Sequence, residues 1–303
     1  MGAEIMSRFH AMQVFVKVAE TSGFAEAARQ LNMSPPAVTR AVASLEDHIG
    51  ARLFTRTTRM VKLTEAGTRY FDDCRRILAD VAEAEAAAAG SYAKPSGVLT
   101  VTASALFGQE YITPILAEYC DLHPEVNARA LFVDRITNMV DEGIDVGIRI
   151  GDLPDSSFSA IRVGAVRRVV CGAPAYFAQH GVPKHPSDLA QHKIIVSSAA
   201  WASLDWRFGG AQKPVVRIAP QLSFNTYGAV LKAAMLVWGL ARPLSYQIGR
   251  ALMDGDLQTV LSEFEDAPLP VHVVHPEGRR ASAKVRAFVD LAVDRLRANR
   301  SIN

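Results

Sequence analysis

The sequence has 303 residues, more than the ~100–200 residues of a typical single domain, so we expect at least two domains. Its residues are 49% hydrophobic and 21% charged, which is enough for a packed core and excludes a disordered chain. The formal net charge is only +2, so a nucleic-acid or membrane partner would have to be bound by a local patch.

The cysteines and the apolar segments indicate the compartment. Cys74, Cys120 and Cys171 are widely separated and none belongs to a C-x-x-C pair, so we expect reduced thiols rather than disulfides or a zinc site. Charged residues interrupt the N-terminal segment, which is unlike a signal peptide. The longest apolar stretch, residues 233–241, is far shorter than the ~20 residues needed to cross a bilayer. We therefore expect a soluble, cytoplasmic protein.

Three predicted helices come first in the chain. Apolar residues at one-face spacing predict a first helix that ends at Ser22-Gly23, and a short, alanine-rich second helix ends at Asn32. In the third, Ser34 is the predicted N-cap and Pro35 occupies the first helical position, where its missing N–H costs nothing. Gly50 is expected to end this third helix.

The outer face of the third helix carries the first functional signal. At 100° per residue, its apolar residues form one stripe that we expect to be buried: Val38, Val42, Leu45 and Ile49. Arg40 lies almost opposite this stripe, flanked by Pro36 and Ser44. Small residues let a helix backbone enter a DNA groove, and one arginine there can contact a phosphate or a guanine edge. The pattern predicts a helix that contacts DNA.

Basic residues are concentrated around this helix. Between Arg29 and Arg69 there are seven basic and three acidic residues, a difference of four positive charges in a chain whose total is +2. The β-branched, basic stretch after Gly50 predicts two short strands, with Arg56 and Arg59 flanking the tip between them. A basic hairpin beside a groove helix indicates a winged helix-turn-helix. The alternative is a solvated basic loop beside a core helix.

A long helix is predicted next, from Thr64 to Gly90, because this segment contains no proline. Its apolar residues recur at alternating steps of four and three: Tyr70, Cys74, Ile77, Val81, Ala84 and Ala88. Such a heptad seam predicts pairing with a second copy of the chain. A helix packed on its own domain is the alternative.

Beyond a predicted hinge at Pro95 and Gly97, apolar strands alternate with helical segments. The predicted strands cover residues 98–104, 126–133, 145–151, 160–173 and 270–275. The predicted helices cover residues 109–123, 226–239 and 282–299. This alternation predicts an α/β fold with mostly parallel strands.

Residues 9–67, and above all the run SPPAVTRAVASLEDHIGARLFTRTTRMVKLTEAG, strongly resemble the N-terminal domain of LysR-type transcriptional regulators. The similarity continues along the chain in HPEV, DVGIRIG and GLARP. The resemblance implies an α/β protein overall with three parts: a winged helix-turn-helix over 1–63, a linker and dimerisation helix over 64–92, and a two-lobed, periplasmic-binding-protein-like effector-binding domain over 93–303. Lobe I would cover about 98–169 and 271–303, and lobe II about 170–270.

The resemblance also implies partners and site residues. The partners would be double-stranded promoter DNA, a small-molecule effector, other copies of the chain as a dimer of dimers, and RNA polymerase. The positions implied in DNA binding are Gln30, Ser34, Pro35, Pro36, Thr39, Arg40, Arg56 and Arg59. Those implied in dimerisation are Tyr70, Cys74, Ile77, Val81 and Ala84.

Two strand-to-helix turns are candidates for holding an effector carboxylate, because ligands in α/β sheets bind beyond the carboxyl ends of strands, near helix N-termini. The effector-binding candidates are Ser104, Leu106, Phe107, Arg149, Ser198, Asn225, Thr226 and Arg242. For Arg149, an ion pair with Asp134 or Asp145 is an equal alternative. Arg242 stands where the family more often has an aliphatic residue, so it marks either effector specificity or a surface charge.

Enzyme motifs are missing from the sequence. The sequence contains no G-x-G-x-x-G dinucleotide-binding motif, no phosphate-loop motif and no G-x-S-x-G nucleophile elbow. His272 and His275 are three apart in a predicted strand, so they face opposite sides and make a poor metal pair. We expect no catalysis, no cofactor and no metal. The main alternative is a two-lobed solute-binding module or enzyme whose helix-turn-helix contacts protein.

Overall fold

The computed structural model describes residues 2–56, 61–88, 94–153, 158–198, 203–209, 214–276 and 281–302. The chain divides into two units, Met1–Ala93 and Lys94–Asn303. Among the residues described, no helix is long and apolar enough to span a membrane.

The first unit contains four helices and a short hairpin in its described part. They are α1 (Gly2–Thr21), α2 (Phe24–Gln30), α3 (Pro35–Ile49), β1 (Phe54–Arg56), β2 (Val61–Leu63) and α4 (Glu65–Ala88). β1 and β2 pair antiparallel, with Phe54 opposite Leu63. The residues predicted at the hairpin tip, 57–59, lie outside the described part of the chain.

The core of the first unit lies between α1, α3 and the start of α4. Val38, Val42 and Leu45 are buried in it, which confirms three members of the predicted stripe. Ile49 is 37% exposed, so its predicted burial is wrong. It is the last residue of α3, immediately before Gly50, whose left-handed φ of 75° turns the chain away from the helix axis.

The second unit is built from two sheets with helices packed on them. In chain order, the unit begins with β3 (Gly97–Ala103), α5 (Ala105–Phe107), a π-helical turn (Gly108–Ile112), α6 (Thr113–Leu122), β4 (Val126–Phe132), β5 (Val146–Ile150) and β6 (Ser159–Val166). The chain then continues through β7 (Val170–Gly172), α7 (Pro174–His180), β8 (Ile194–Ser197), β9 (Asp205–Arg207), β10 (Val215–Arg217), β11 (Leu222–Phe224), α8 (Tyr227–Met235), β12 (Leu240–Ala241), α9 (Gly249–Met253) and β13 (Gln258–Val260). It ends with β14 (Leu269–His275) and α10 (Ala283–Ala298).

The two sheets define two lobes within this unit. The lobe I sheet has the order β4-β3-β5-β14-β6, and the lobe II sheet has the order β11-β8-β12-β7-β13, while β9 and β10 form a separate pair. In the described residues each five-stranded sheet has two parallel and two antiparallel pairings, so the prediction of mostly parallel strands is wrong. The reason in lobe I is that β14 returns from the other lobe and inserts antiparallel between β5 and β6.

Two chain segments connect the lobes. The single strand predicted over 160–173 is in fact two strands, β6 and β7, which belong to different sheets and are separated by residues 167–169. The return segment covers residues 261–268. Arg167 Nη1 in the first segment lies 2.7 Å from Glu265 Oε2 in the second, so an ion pair joins the two connections.

Candidate functional site

The start of α3 has the geometry that its sequence predicts. Ser34 has extended backbone, and its Oγ accepts a hydrogen bond from the Ala37 N–H at 3.4 Å. Pro35 is the first residue of the helix. The Thr39 hydroxyl donates to the Pro35 carbonyl oxygen at 3.0 Å, which holds this side chain along the helix.

The outer face of α3 is exposed over its first turns. Pro36, Arg40 and Ser44 are all exposed, opposite the buried stripe. Among the described residues no hydrogen bond or ion pair involves the Arg40 side chain. Its guanidinium is therefore free to contact a partner outside the chain.

The remaining predicted DNA contacts flank this face. Gln30 is exposed at the end of α2, where its Nε2 donates to Glu26 Oε1 at 3.0 Å. Arg56 ends β1, and Arg59 lies outside the described residues. The structure therefore brings Gln30, Ser34 and Arg40 onto one helix-turn-helix, with the hairpin following it in the chain.

Glu46 is a structural residue that the sequence reasoning missed. It is only 3% exposed, and its Oε1 accepts hydrogen bonds from the Leu53 N–H at 2.8 Å and the Phe54 N–H at 3.2 Å. Its Oε2 lies 2.9 Å from Arg52 Nη1. Burial opposes ionisation of this carboxyl, but the Arg52 and backbone hydrogen bonds outweigh it and lower its pKa. This carboxylate ties α3 to the strand that follows it.

The first two residues of the predicted pairing seam on α4 pack against the rest of the first unit. Cys74 is fully buried in the first unit's own core, and the Tyr70 ring centroid lies 5.5 Å from that of Phe15 in α1. Burial raises the pKa of the Cys74 thiol to about 11. These two side chains pack within the chain because α4 lies against α1.

The rest of the seam lies farther along α4. Ile77 is 42% exposed, and Val81 is partly exposed. Ala84 belongs to the same helix. The exposed apolar side chains of the predicted seam therefore begin at Ile77, about two helical turns after Tyr70.

In lobe I, the predicted turn after β3 is occupied by the protein's own groups. The Ser104 Oγ lies 3.1 Å from the Tyr246 hydroxyl. Asp134 Oδ1 accepts a hydrogen bond from the Ala105 N–H at 3.0 Å, so a carboxylate of the chain already caps this helix start. Phe107 is fully buried in the lobe I core.

In lobe II, the second predicted turn is exposed. Asn225 and Thr226 lie at the start of α8, where Thr226 has extended backbone and makes no side-chain capping bond. Ser198 is also exposed, and its N–H donates to the Phe224 carbonyl oxygen at 2.6 Å. This hydrogen bond places the end of β8 next to the end of β11, where α8 begins.

The two predicted cationic anchors have partners inside the chain. Arg149 Nη2 donates to the Thr137 carbonyl oxygen at 3.0 Å and to its Oγ1 at 2.6 Å. These bonds differ from the ion pairs considered from the sequence.

Arg242 is buried, which excludes the surface-charge alternative. It donates to the Arg207 carbonyl oxygen and lies 3.3 Å from Asp266 Oδ2. Its guanidinium carbon is 4.3 Å from the ring centroid of Phe208, and burial lowers its pKa to about 10. These contacts orient Arg242 toward the interior of lobe II.

Leu106 and Tyr246 connect the two lobes. Leu106 packs against both the lobe I core and a lobe II core. Tyr246 follows β12 of lobe II but is buried in the lobe I core, where its ring centroid is 5.1 Å from that of Phe107. Sequence reasoning missed Tyr246, because the run RPLSYQ carries no periodic signal for insertion into the other lobe.

A helix-turn-helix with a wing and a separate two-lobed α/β unit together define a ligand-responsive regulator of transcription. Two family descriptions match the chain: "Bacterial regulatory helix-turn-helix protein, lysR family" over residues 9–68 and "LysR substrate binding domain" over residues 93–297. The chain belongs to the LysR family of transcriptional regulators.

Relatives match over nearly their full length. An HTH-type transcriptional repressor of Pseudomonas aeruginosa is 31% identical over 98% of this chain and 95% of its own. The HTH-type transcriptional activator AaeR of Escherichia coli is 30% identical over 95% of this chain and 94% of its own. These relatives are regulators of transcription, not enzymes.

Solved structures support the same fold. CrgA of Neisseria meningitidis, a LysR-type regulator, is 27% identical, with a TM-score of 0.62 over 96% of this chain and 99% of its own. Full-length AphB of Vibrio cholerae is 23% identical, with a TM-score of 0.60 over 94% of this chain and 98% of its own. Regulators of this family bind DNA and small-molecule effectors and oligomerise.

Proposed function

We propose that this chain binds operator DNA in a sequence-specific manner through the outer face of α3, and that an effector bound between the two lobes modulates its action on a promoter. The observation that carries the DNA-binding part is the exposed, unengaged Arg40 on a face otherwise made of small residues. Arginine at such a position forms bidentate contacts with guanine or binds phosphate. Arg56 and Arg59 of the hairpin would contact the DNA backbone or the minor groove.

The proposed assembly is a dimer of dimers in the cytoplasm, where the promoter DNA is found. Dimers would form through the exposed part of α4, with Ile77, Val81 and Ala84 at the contact. Two copies of α3 would then meet the half-sites of a near-palindromic operator, since the symmetry of a dimer matches the symmetry of such a site. RNA polymerase would be a further partner at an activated promoter.

The proposed effector is a small anionic metabolite, such as a carboxylic acid. The exposed start of α8 supports this, because the free N–H groups of a helix start favour an anion. Asn225, Thr226 and Ser198 would contact it from lobe II, and Leu106 would contact it from the other side. An effector that binds one arrangement of the lobes better than another shifts the population toward that arrangement.

A gel shift with the DNA upstream of the protein's own gene tests DNA binding, performed at two salt concentrations. Arg40→Ala should weaken binding to this DNA about tenfold or more, the cost of losing one good arginine contact. Arg250→Ala is the matched control, because Arg250 is an exposed arginine of lobe II with an ion pair only to Asp254. It removes the same charge and should leave the affinity nearly unchanged.

The same gel shift discriminates the alternative of a helix-turn-helix that contacts protein. Equal loss of affinity in both variants, or equal binding to a scrambled sequence, would mean that α3 does not read bases. Repeating the assay with a panel of carboxylic acids tests the effector. A mobility or affinity change with acids but not with their amides supports an anionic effector, and equal changes with both would contradict it.

A further inference from the structure

Three basic side chains lie side by side across the lobe I sheet. Arg149 of β5 is directly opposite His272 of β14, and His272 is in turn opposite Arg162 of β6. We call Arg149, His272 and Arg162 the basic row. Side chains directly opposite on neighbouring strands have Cβ atoms about 4.5–5.5 Å apart, so the three groups are neighbours on the sheet.

The basic row lies on the face of the sheet that points away from the lobe I core. Val271 and Val273, the neighbours of His272 in β14, are fully buried in that core together with α10. Because side chains alternate along a strand, His272 points to the opposite face. Arg162 is exposed, and His272 and Arg149 are partly exposed, so solvent ions can approach.

The row has little negative charge to balance it in the described part of the chain. Arg149 binds Thr137 through two neutral oxygen atoms. The Arg162 side chain makes no hydrogen bond or ion pair with any described residue. The two guanidinium groups stay charged at all ordinary pH values, so this arrangement favours a counter-ion.

Two carboxylates approach the row without contacting it. Asp152 lies in electrostatic range of His272, and Glu142 in range of Arg149. Glu142 is already bound to Arg135 by a 2.6 Å ion pair. Burial and the neighbouring Arg162 lower the pKa of His272, and Asp152 acts in the opposite direction.

The His272 ring adds an independent observation. Its Nδ1 is buried and has no hydrogen-bond partner in the described residues. Buried polar atoms in native proteins nearly always have a partner, which is either protein, water or ligand. A buried nitrogen atom without a hydrogen-bond partner, on a residue that lies between two arginines, indicates a site that binds a polar ligand.

We propose that the basic row binds a small oxyanion of the phosphate type, at a site in lobe I that is separate from the proposed effector contacts Ser198, Asn225 and Thr226 of lobe II. Arg149, an effector candidate from the sequence, would belong to this site. The two arginines flank His272, one on each side, and each guanidinium offers several N–H donors in a fixed plane that suit the oxygen atoms of phosphate. The bound anion would neutralise the row and stabilise the β5-β14-β6 part of the sheet. It would connect the last strand of the chain, β14, to both of its neighbours.

The test uses the full chain with inorganic phosphate, and with chloride at the same ionic strength as the reference. Phosphate should raise the melting temperature above that in chloride, and it should raise the pKa of His272, because an adjacent anion favours the imidazolium form. The imidazole resonances of His272, assigned with His272→Gln, report that pKa by NMR. Sulfate should act like phosphate, whereas acetate at the same ionic strength should act more weakly.

Arg162→Gln should weaken phosphate binding about tenfold, the usual effect of losing one charge-assisted hydrogen bond. Because Arg162 is exposed and its side chain has no partner among the described residues, this variant should fold normally. Arg250→Gln is the charge-matched control and should bind phosphate like the wild type. An unchanged His272 pKa in phosphate, or equal affinity in both variants, would overturn the proposal. Asn225→Ala should leave the phosphate effect intact, which separates this site from the effector region.

Discussion

Glu46 is a carboxylate whose charge is needed inside the protein. A buried carboxylate is costly unless hydrogen bonds compensate for the lost hydration. Here the compensation comes from two backbone N–H groups, those of Leu53 and Phe54, and from Arg52. The same N–H groups would otherwise lack a partner where the chain leaves α3 and enters the hairpin. Glu46 therefore fixes the position of the wing relative to the helix proposed to contact DNA.

Glu46→Gln should lower the free energy of unfolding by about 1–3 kcal/mol, the range for losing hydrogen bonds to a buried charged acceptor. The reason is that an amide oxygen accepts more weakly than a carboxylate, and the amide NH₂ faces donors. Denaturant unfolding measures the difference. Asp47→Asn is the control, because Asp47 is the exposed neighbour in the same helix, and a comparable loss in both variants would contradict this role.

The Glu46 interaction also predicts a dependence on pH. Its pKa in the folded protein is lowered from the ordinary value of 4.5, so folding favours the ionised form. The stabilisation is therefore fully present above the unfolded-state pKa and is lost as the pH falls through the folded-state pKa. The wild type should lose stability relative to Glu46→Gln over that acidic range, and the two curves should run parallel at neutral pH.

At the scale of residues, sequence predicts local chemistry better than distant partners. Ser34 as the N-cap, Pro35 at the first helical position and Gly50 as the terminator are confirmed, because each depends on only a few neighbouring residues. The sequence identifies Glu46 only as one of the three acidic residues between Arg29 and Arg69. Its role depends on backbone groups seven and eight residues away, and no periodicity reports such a contact.

At the scale of elements, α4 shows how one stripe of apolar residues can serve two purposes. A heptad pattern indicates that one face of a helix is buried, but it does not show whether that face packs against the same chain or against a second copy. The first part of the stripe packs on α1 of the same chain, where Phe15 meets Tyr70. Farther along the stripe, Ile77 is exposed and Val81 is partly exposed.

Ile77→Glu should reduce the oligomer to smaller species, since a charge at an apolar contact is costly to bury. Light scattering measures the mass. Cys74→Ala is the matched control from the same stripe. It should lower the free energy of unfolding by about 1 kcal/mol without changing the mass, because Cys74 contributes to the core of its own unit. A change of mass in Cys74→Ala, or none in Ile77→Glu, would contradict this division of the helix.

The strands show a related limit of prediction. β3, β4, β5 and β14 were predicted within one residue of their observed ends, because each is a short apolar run bounded by turns. The run over 160–173 was predicted as one strand, since both of its halves are apolar. Residues 167–169, where the chain crosses from one lobe to the other, separate β6 from β7. The two strands are assigned to different sheets because β6 pairs with β14 and β7 pairs with β13, and both partners are far away in the sequence. For the same reason the antiparallel insertion of β14 could not be predicted.

At the scale of the whole molecule, the two units have separate cores. The core of the first unit contains residues up to Leu78, while those of the second begin at Leu99. The predicted hinge at Pro95 and Gly97 lies between them, and Gly97 has a left-handed φ of 88° that disfavours other residues. A chain with separate cores on both sides of such a segment is expected to unfold in more than one step.

This division predicts that the fragment of residues 94–303 folds by itself. It contains both lobes and both connecting segments, including the Arg167–Glu265 ion pair, so the described cores of both lobes are retained. The fragment should show cooperative denaturant unfolding by circular dichroism and should keep the phosphate-dependent rise in melting temperature. It should fail to shift operator DNA, because α3 is missing. A fragment that unfolds without cooperativity would mean that the second unit depends on the first, and DNA binding by the fragment would move the operator contact away from α3.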